Sequence, residues 1–245
     1  MPLFNDWAIS TLEELRGYES AIYDLASTER IDLSQKLVLA QQEIEVDLTA
    51  SFFRETPQEV RKVVVTPALR LWHTFHTLAL VYRDAYNSQL NDRYLGKWRE
   101  YERLTKWAYE KLLVMGVGMT GCPVPKANPP NLTTAPGAAT AATYWVRAAW
   151  VGVNGEEGCP SDPAVVEASE GMVPVAESSG PPADVTSWNV YAGMSPEAAQ
   201  LQNAEPLPLG SSWTMPPTGL VAGRPVGTGQ APSTYLRSER LFRRG

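Results

Sequence analysis

Apolar residues in the first half of the chain recur at steps of three and four, the spacing that places them on one face of an α-helix. The longest such stripe begins after Asp32, a residue type that favours the N-terminal cap of a helix. Its members are Leu33, Leu37, Ala40, Ile44, Leu48 and Phe52. A shorter stripe follows Ser10 and Thr11, either of which can cap a helix, and it comprises Leu12, Leu15, Glu19, Ile22 and Leu25. Each stripe predicts one helix.

Two proline positions predict further helix starts. Thr56-Pro57 and Thr66-Pro67 each place a capping residue before a proline at the first helical position. The second start opens a helix whose apolar residues cover a wide face, so we expect it to be central: Leu71, Trp72, Phe75, Leu78, Tyr82 and Ala85. A last helix is predicted over residues 93–115, with Gly116 as its stop. Short connections favour antiparallel packing of these helices.

The second half of the chain alternates apolar and polar residues, which is the period of a β-strand. The strongest runs are residues 143–153 and 185–193, and residues 164–166, 172–175 and 211–215 form shorter ones. About six or seven short strands separated by Pro, Gly and Asn turns favour an immunoglobulin-like β-sandwich.

The content of proline and glycine rises where the predicted helices give way to the predicted strands. Residues 121–245 contain 17 of the 20 prolines and 14 of the 18 glycines. The predicted fold class is therefore α+β with more than one domain. We expect a helical domain over residues 1–120, a linker over 121–130, the sandwich over 131–218, and a Gly/Pro linker with a basic tail over 219–245.

The net charge of −6 is unevenly distributed along the chain. Residues 121–233 carry three basic and nine acidic side chains, whereas residues 234–245 carry four basic and one acidic. Apolar side chains alternate with arginines in this tail: Tyr235, Leu236, Arg237, Arg240, Leu241, Phe242, Arg243 and Arg244. Apolar anchors flanked by charge are typical of a peptide that docks into a partner. A solvated basic end and contact with DNA phosphate are the alternatives.

Several classes of site are weakly supported. His73 and His76 have the spacing of a metal pair on a helix but lack a third ligand, which favours a helix–helix or subunit contact. Cys122 and Cys159 are either free thiols or a disulfide. Residues 116–121 match the glycine spacing of a dinucleotide-binding loop. That loop must follow a β-strand, whereas these residues follow a predicted helix, so we predict a flexible linker there. No catalytic residue, metal or cofactor is predicted.

Membrane and secretory roles are also disfavoured. No apolar run reaches the roughly 20 residues of a membrane span. The N-terminus lacks the basic and apolar regions of a signal peptide, so we expect synthesis in a cytoplasm.

Acidic residues and exposed aromatic residues leave alternatives open. Glu13 and Glu14, and the group Glu43, Glu45 and Asp47, form either a solvated helix face or a hydrolytic pair. Trp107 and Tyr109 lie off the apolar stripe of the last helix, which predicts a subunit contact. Four tryptophans of the sandwich belong to its core or stack on sugars: Trp145, Trp150, Trp188 and Trp213.

Two parts of the chain resemble known families. Residues 1–120 are similar to the helical domain of head-to-tail connector (adaptor) proteins of tailed bacteriophages. The similarity lies in Leu12-Glu13-Glu14-Leu15, in the two aromatic helices, and in the spacing of Lys36, Leu37, Ala40, Ile44 and Leu48. Residues 131–217 resemble fibronectin type III or phage immunoglobulin-like modules through residues 143–148, 154–161 and 188–193.

These resemblances imply a non-enzymatic structural protein of the virion neck, made in the host cytoplasm. The connector family implies a homo-oligomeric, twelve-fold ring beneath the portal protein, with a C-terminal tail that reaches the portal. A tail or neck protein would bind its other side, and DNA would pass through without sequence-specific contact. The resemblance adds a third interpretation of the acidic helix residues Glu13, Glu14, Glu43, Glu45 and Asp47, as the lining of a channel that repels DNA phosphate. This chain departs from plain connectors because a sandwich lies between the helical domain and the tail. The alternative is a virion surface or glycan-binding module that acts through the sandwich.

Overall fold

The computed structural model describes residues 1–89 and 92–237, which have an α+β fold divided into two compact units. The helical unit comprises Trp7–Gly121 and the described residues from Pro232 onward. The strand unit comprises Met1–Asp6 and Cys122–Ala231. The first six residues therefore belong with the second half of the chain, and the last described residues belong with the first half.

The helical unit is built mainly from α-helices. They are α1 (Leu12–Tyr18), α2 (Ile22–Glu29), α3 (Leu33–Phe52), α4 (Pro67–Gln89) and α5 (Asp92–Met115). A 3-10 helix spans Pro57–Lys62, and two short strands complete the unit, β1 (Val117–Met119) and β10 (Thr234–Leu236). The predicted central position of α4 is confirmed, because this helix contacts α1, α2, α3 and α5.

Local sequence signals explain where the helices begin and end. Thr11 and Glu14 form a capping box at the start of α1, in which each side chain bonds the backbone N–H of the other residue. The Asp32 carboxylate accepts hydrogen bonds from the N–H groups of Ser34 and Gln35 and so begins α3. Gly116 ends α5 with a φ of 94°, a conformation that costs glycine little.

The single helix expected from the first stripe is in fact two helices, α1 and α2. The chain becomes extended at Glu19, which ends α1. The Glu19 carboxylate accepts hydrogen bonds from Lys97 and Tyr101 on α5 at 2.9 and 3.0 Å. Burial alone would raise the pKa of Glu19, but these hydrogen bonds outweigh it and the pKa is lowered. A charged residue on an apolar stripe was the local sign of this break.

The strand unit contains two antiparallel sheets. One has the order β2-β5-β9 and the other has the order β4-β3-β6-β7, with β8 also paired to β6. The strands are β2 (Asn131–Pro136), β3 (Ala142–Gly152), β4 (Ala164–Ala168), β5 (Met172–Glu177), β6 (Val185–Gly193), β7 (Gln200–Leu201), β8 (Leu207–Pro208) and β9 (Ser212–Thr214). Side chains from both sheets share one apolar cluster, in which Trp150 and Trp188 face each other across β3 and β6.

The segments predicted as linkers are tied to the strand unit. The Gln230 side chain accepts a hydrogen bond from the N–H of Val124 and donates one to the carbonyl of Cys122, both at 2.7 Å. The Glu157 carboxylate accepts hydrogen bonds from Arg224 and from the Tyr191 hydroxyl. Residues 121–130 and 219–231 therefore differ from the expected free linkers, because side chains distant in sequence satisfy their polar groups. Such bonds leave no local pattern in a sequence.

The most informative correction concerns residues 116–121, which were predicted to be a flexible linker. Residues 117–119 are strand β1, and β1 pairs antiparallel with β10 near the end of the described chain. Gly118 lies opposite Tyr235, and a Cβ atom on Gly118 would lie 2.8 Å from Cγ2 of Thr66. Any larger residue at this position would force Thr66 to shift. The chain thus leaves the helical unit after β1 and returns to it at β10, so the segment Cys122–Ala231 of the strand unit is an insertion between two paired strands.

Candidate functional site

The described part of the predicted docking tail begins as strand β10. Tyr235 and Leu236 lie in this strand with exposed side chains, and Arg237 follows it and is also exposed. Tyr235 and Leu236 are therefore fixed by backbone pairing while their side chains face solvent. The remaining predicted tail residues lie outside the described residues: Arg240, Leu241, Phe242, Arg243 and Arg244.

β10 is the outermost strand of its layer among the described residues. On the other side of β1, the N–H of Val64 bonds the carbonyl of Gly118, and the N–H of Thr120 bonds the carbonyl of Lys62, both at 2.9 Å. β1 is thus the central strand, and the outer edge of β10 has no paired strand among the described residues. A groove of about 500 Å³ lies beside it, with Phe52, Phe53 and Leu236 among its lining residues. The lining also includes the charged residues Glu59 and Lys62. An edge strand beside such a groove suits the binding of an extended peptide.

The aromatic residues of α5 divide between the interior and the surface. Tyr101 stacks on Tyr82 at a centroid distance of 5.5 Å. Tyr109 lies 4.8 Å from the Trp72 ring and shares a hydrogen bond with the Ser51 hydroxyl. Trp107 is 42% exposed, and the ammonium of Lys111 lies 5.9 Å from its ring centroid. Of the two predicted subunit-contact residues, Tyr109 therefore contacts its own unit and Trp107 faces solvent.

The two histidines both bond to α3 from α4. His73 is fully buried, and its Nε2–H donates to the Leu37 carbonyl at 3.0 Å. Its Nδ1 has no partner among the described residues. Burial lowers the pKa of His73 to about 4, and the neighbouring His76 acts in the same direction, against the Leu37 carbonyl and Glu14. His76 lies 2.6 Å from the Glu43 carboxylate.

A groove of about 330 Å³ lies between α3, α4 and α5. Its lining combines Trp72, Trp98 and Tyr109 with charged side chains of both signs. The charges are those of Asp47, Arg83, Glu102 and Lys106, with His76 beside them. Across residues 1–89 and 92–237, no group of three or more His, Cys, Asp or Glu side chains converges as a metal ion requires.

The acidic residues noted in the sequence occupy different environments. Glu14 caps α1 and pairs with Arg70 at 3.0 Å, and Glu13 accepts a hydrogen bond from Tyr23. Glu43 pairs with His76, as described above. Glu45 and Asp47 are exposed on α3. The structure does not bring these carboxylates together as one pair.

The tryptophans of the strand unit are mostly core residues. Trp150, Trp188 and Trp213 are buried, and Trp145 is partly exposed. Burial removes the first three from direct contact with a sugar. The interpretation of these rings as a stacking surface therefore rests on Trp145 alone.

Cys122 and Cys159 do not form a disulfide; Cys122 is partly exposed and Cys159 is buried. Burial, with a smaller contribution from Asp6, raises the pKa of Cys159 to about 11. The Cys159 thiol therefore stays protonated at neutral pH, which makes it a poor nucleophile.

No helix within the described residues combines the length and apolarity that crossing a membrane demands. The chain matches no protein-family model, and no curated protein matches it. Its function is therefore inferred from its own residues and geometry.

Proposed function

We propose that this chain is a head-to-tail connector of a tailed-phage virion, a structural protein of the neck without enzymatic activity. The observation that carries the proposal is the pairing of β1 with β10. This pairing returns the end of the chain to the helical unit after an insertion of more than a hundred residues. The basic tail then starts from the helical unit, as it does in a connector that lacks a sandwich.

In this proposal the protein acts by binding its neighbours in the particle and by forming a rigid ring. Copies of the helical unit would associate side by side into a ring, which we expect to be twelve-fold. The tail would bind the portal protein above the ring, and a tail or neck protein would bind below it. Residues 1–120 have a net charge of −3, so a channel through the ring would repel DNA phosphate and let DNA pass without sequence-specific contact.

The proposal includes a finer description of the fold, a helical bundle followed by an immunoglobulin-like sandwich. The observed strand neighbours support it. When β2, β3, β4, β5, β6 and β7 are taken as immunoglobulin strands B, C, C′, E, F and G, every pairing among them is that of the immunoglobulin sheets. Trp150 then matches the buried tryptophan of strand C. β9 departs from the pattern, because it comes last and pairs with β5 on the edge where strand D belongs.

The proposal is tested by removing residues 238–245, which leaves β10 in place. We expect the apparent affinity for isolated portal rings to fall by about a hundredfold or more, since a ring that presents many tails multiplies a weak contact. Sedimentation with portal rings measures the loss. Deletion from Thr234 is a poorer test, because it also removes a strand of the helical unit.

Two matched tail variants distinguish the contribution of the apolar side chains to portal binding from that of the arginine charges. Replacing Leu241 and Phe242 with serine removes the apolar anchors and keeps every arginine. Replacing Arg240, Arg243 and Arg244 with glutamine removes charge and keeps the anchors. The proposal expects the larger loss from the serine variant. Equal portal binding by the truncated and full-length chains would contradict the role of the tail.

A further inference from the structure

The hydrogen bonds of β1 show which of its backbone groups point toward β10. The carbonyl of Gly118 accepts a hydrogen bond from the N–H of Val64 at 2.9 Å, on the side of β1 away from β10. Backbone groups of successive residues in a strand point to alternate sides. The groups of Gly118 therefore point away from β10, and those of Val117 and Met119 point toward it. The N–H of Ser233, just before β10, bonds the Met119 carbonyl at 2.8 Å, in agreement with this orientation.

The same alternation leaves the backbone of Tyr235 facing outward. In β10, Leu236 lies opposite Val117 and Thr234 lies opposite Met119, so these two residues pair with β1. Tyr235 lies between them, and its N–H and C=O point to the other side. Within the described chain, no strand other than β1 pairs with β10. One outward donor and one outward acceptor at a strand edge suit an extended backbone.

The groove beside β10 supplies apolar contacts for the side chains of such a strand. Its apolar lining includes Phe52, Phe53, Met119 and Leu236. The charged side chains of the lining, Glu59 and Lys62, pair with each other at 2.9 Å, so neither needs a charge from a ligand. Arg237 is exposed directly after β10. The groove therefore favours an apolar side chain, and the end of β10 favours an acidic one.

We propose that an extended segment of the protein that binds the tail adds to the outer edge of β10 as a further strand. This inference rests on the proposed function, in which that protein is the portal. The segment would pair with the N–H and C=O of Tyr235, place an apolar side chain in the groove, and carry an acidic residue near Arg237. The partner of the tail would thus make a second contact, through the backbone, that removal of residues 238–245 leaves available.

The connection between β10 and the tail selects this occupant. Phe242 is five residues beyond Arg237. A chain spans at most about 3.6 Å per residue, so a partner that holds Phe242 is within about 18 Å of the end of β10. Over so short a span the effective concentration of the second contact is about millimolar, so even weak strand pairing would form.

The sequence and the proposed ring disfavour two other occupants. Residues 238–245 of the same chain would have to turn back at once, but residues 237–240 contain none of the Gly, Asn, Asp or Pro that favour tight turns between strands. β10 of a second copy would pair through a two-fold axis. Such a pairing closes a dimer and uses both edges, whereas a larger ring needs a surface that stays free for the next copy.

Tyr235→Pro tests the strand pairing because it removes the outward backbone donor. Proline is tolerated in an edge strand where its missing N–H would face outward, so the bonds between β1 and β10 remain. Tyr235→Ala removes the same side chain and keeps the N–H, which makes it the matched control. We expect Tyr235→Pro to bind isolated portal rings at least about tenfold more weakly than Tyr235→Ala, because an acceptor on the partner loses its donor. Sedimentation measures binding, and helix circular dichroism checks that both variants are folded.

Amide hydrogen exchange of the wild-type chain is a second measurement that needs no substitution. In the free chain the Tyr235 amide should exchange rapidly, whereas the Leu236 amide, which pairs with β1, should exchange more slowly. Binding to portal rings should slow exchange at Tyr235 by at least about tenfold, since the amide would then be hydrogen-bonded.

The outcomes distinguish this inference from the proposed function. Slower Tyr235 exchange on portal rings, with weaker binding of Tyr235→Pro than of Tyr235→Ala, supports the added strand. Portal binding with unchanged exchange at Tyr235, or with equal affinity of the two folded variants, overturns it and leaves the connector proposal standing. Slow exchange at Tyr235 in the free chain also overturns it: loss of that protection on removal of residues 238–245 assigns the edge to the tail, and loss on dilution assigns it to a second copy. A chain that does not bind portal rings overturns both proposals.

Discussion

Replacement of Trp188 by alanine is expected to lower the free energy of unfolding of the strand unit by about 3–5 kcal/mol. Trp188 is fully buried on β6, opposite Trp150 on β3, within the cluster that both sheets share. Alanine removes an indole from this cluster and leaves a cavity at its centre. Urea unfolding of the full chain, followed by near-ultraviolet circular dichroism, measures the change.

A second substitution at the same position isolates the cause. The Nε1 atom of Trp188 has no hydrogen-bond partner in the described part of the chain. Trp188→Phe keeps most of the apolar contact and removes an unsatisfied donor, so we expect a loss below about 1.5 kcal/mol. Trp145→Ala, at a partly exposed ring on β3, is the matched surface control. A Trp188→Ala loss no larger than that of Trp145→Ala would contradict the shared core.

The stability of the helical unit is expected to fall by about 3 kcal/mol between pH 6.5 and pH 4, because of His73. The folded pKa is about 4, whereas an unfolded histidine has a pKa of 6.5. Between these values the unfolded chain binds a proton that the folded chain excludes. The stabilisation is therefore complete above pH 6.5 and is lost as the pH falls toward 4. Thermal unfolding followed by helix circular dichroism across this range measures the slope.

His73→Gln is the matched variant for this prediction. A glutamine amide can donate to the Leu37 carbonyl, which accepts from the His73 ring, but it does not titrate. We expect the variant to be less stable at pH 7.5 and to lose most of the dependence between pH 6.5 and 4. His76→Gln removes a neighbour that also lowers the pKa of His73, so it should reduce the slope less than His73→Gln does. An unchanged slope in His73→Gln would show that another group is responsible.

Local sequence patterns were sufficient to predict the long helices and strands of this chain. The stripe from Leu33 to Phe52 is α3, and the alternating run at residues 185–193 is β6. Both signals arise within one element, where spacing alone decides which side chains are buried. The break at Glu19 was missed because its cause is a pair of hydrogen bonds from α5.

The candidate site depended on contacts that no local pattern contains. β1 and β10 are three residues each, and more than a hundred residues separate them. Neither strand has a recognisable alternation, so the sequence indicated a linker and a tail. Gly118 was the available signal, since a glycine within a short apolar run often marks the close approach of another strand. Trp107 and Tyr109 both lie off the core stripe, but only Trp107 is exposed. The contact of Tyr109 with Trp72 depends on the packing of α4 and was not visible in the sequence.

The position of the chain on an assembled particle tests the connector proposal most directly. Virions from cells that express the chain can be labelled with an antibody against the strand unit, carried on gold, and examined by electron microscopy. The proposal predicts one cluster of label per particle, at the junction of head and tail. Label spread over the capsid or at the far end of the tail would contradict it and would favour a surface-binding role for the strand unit.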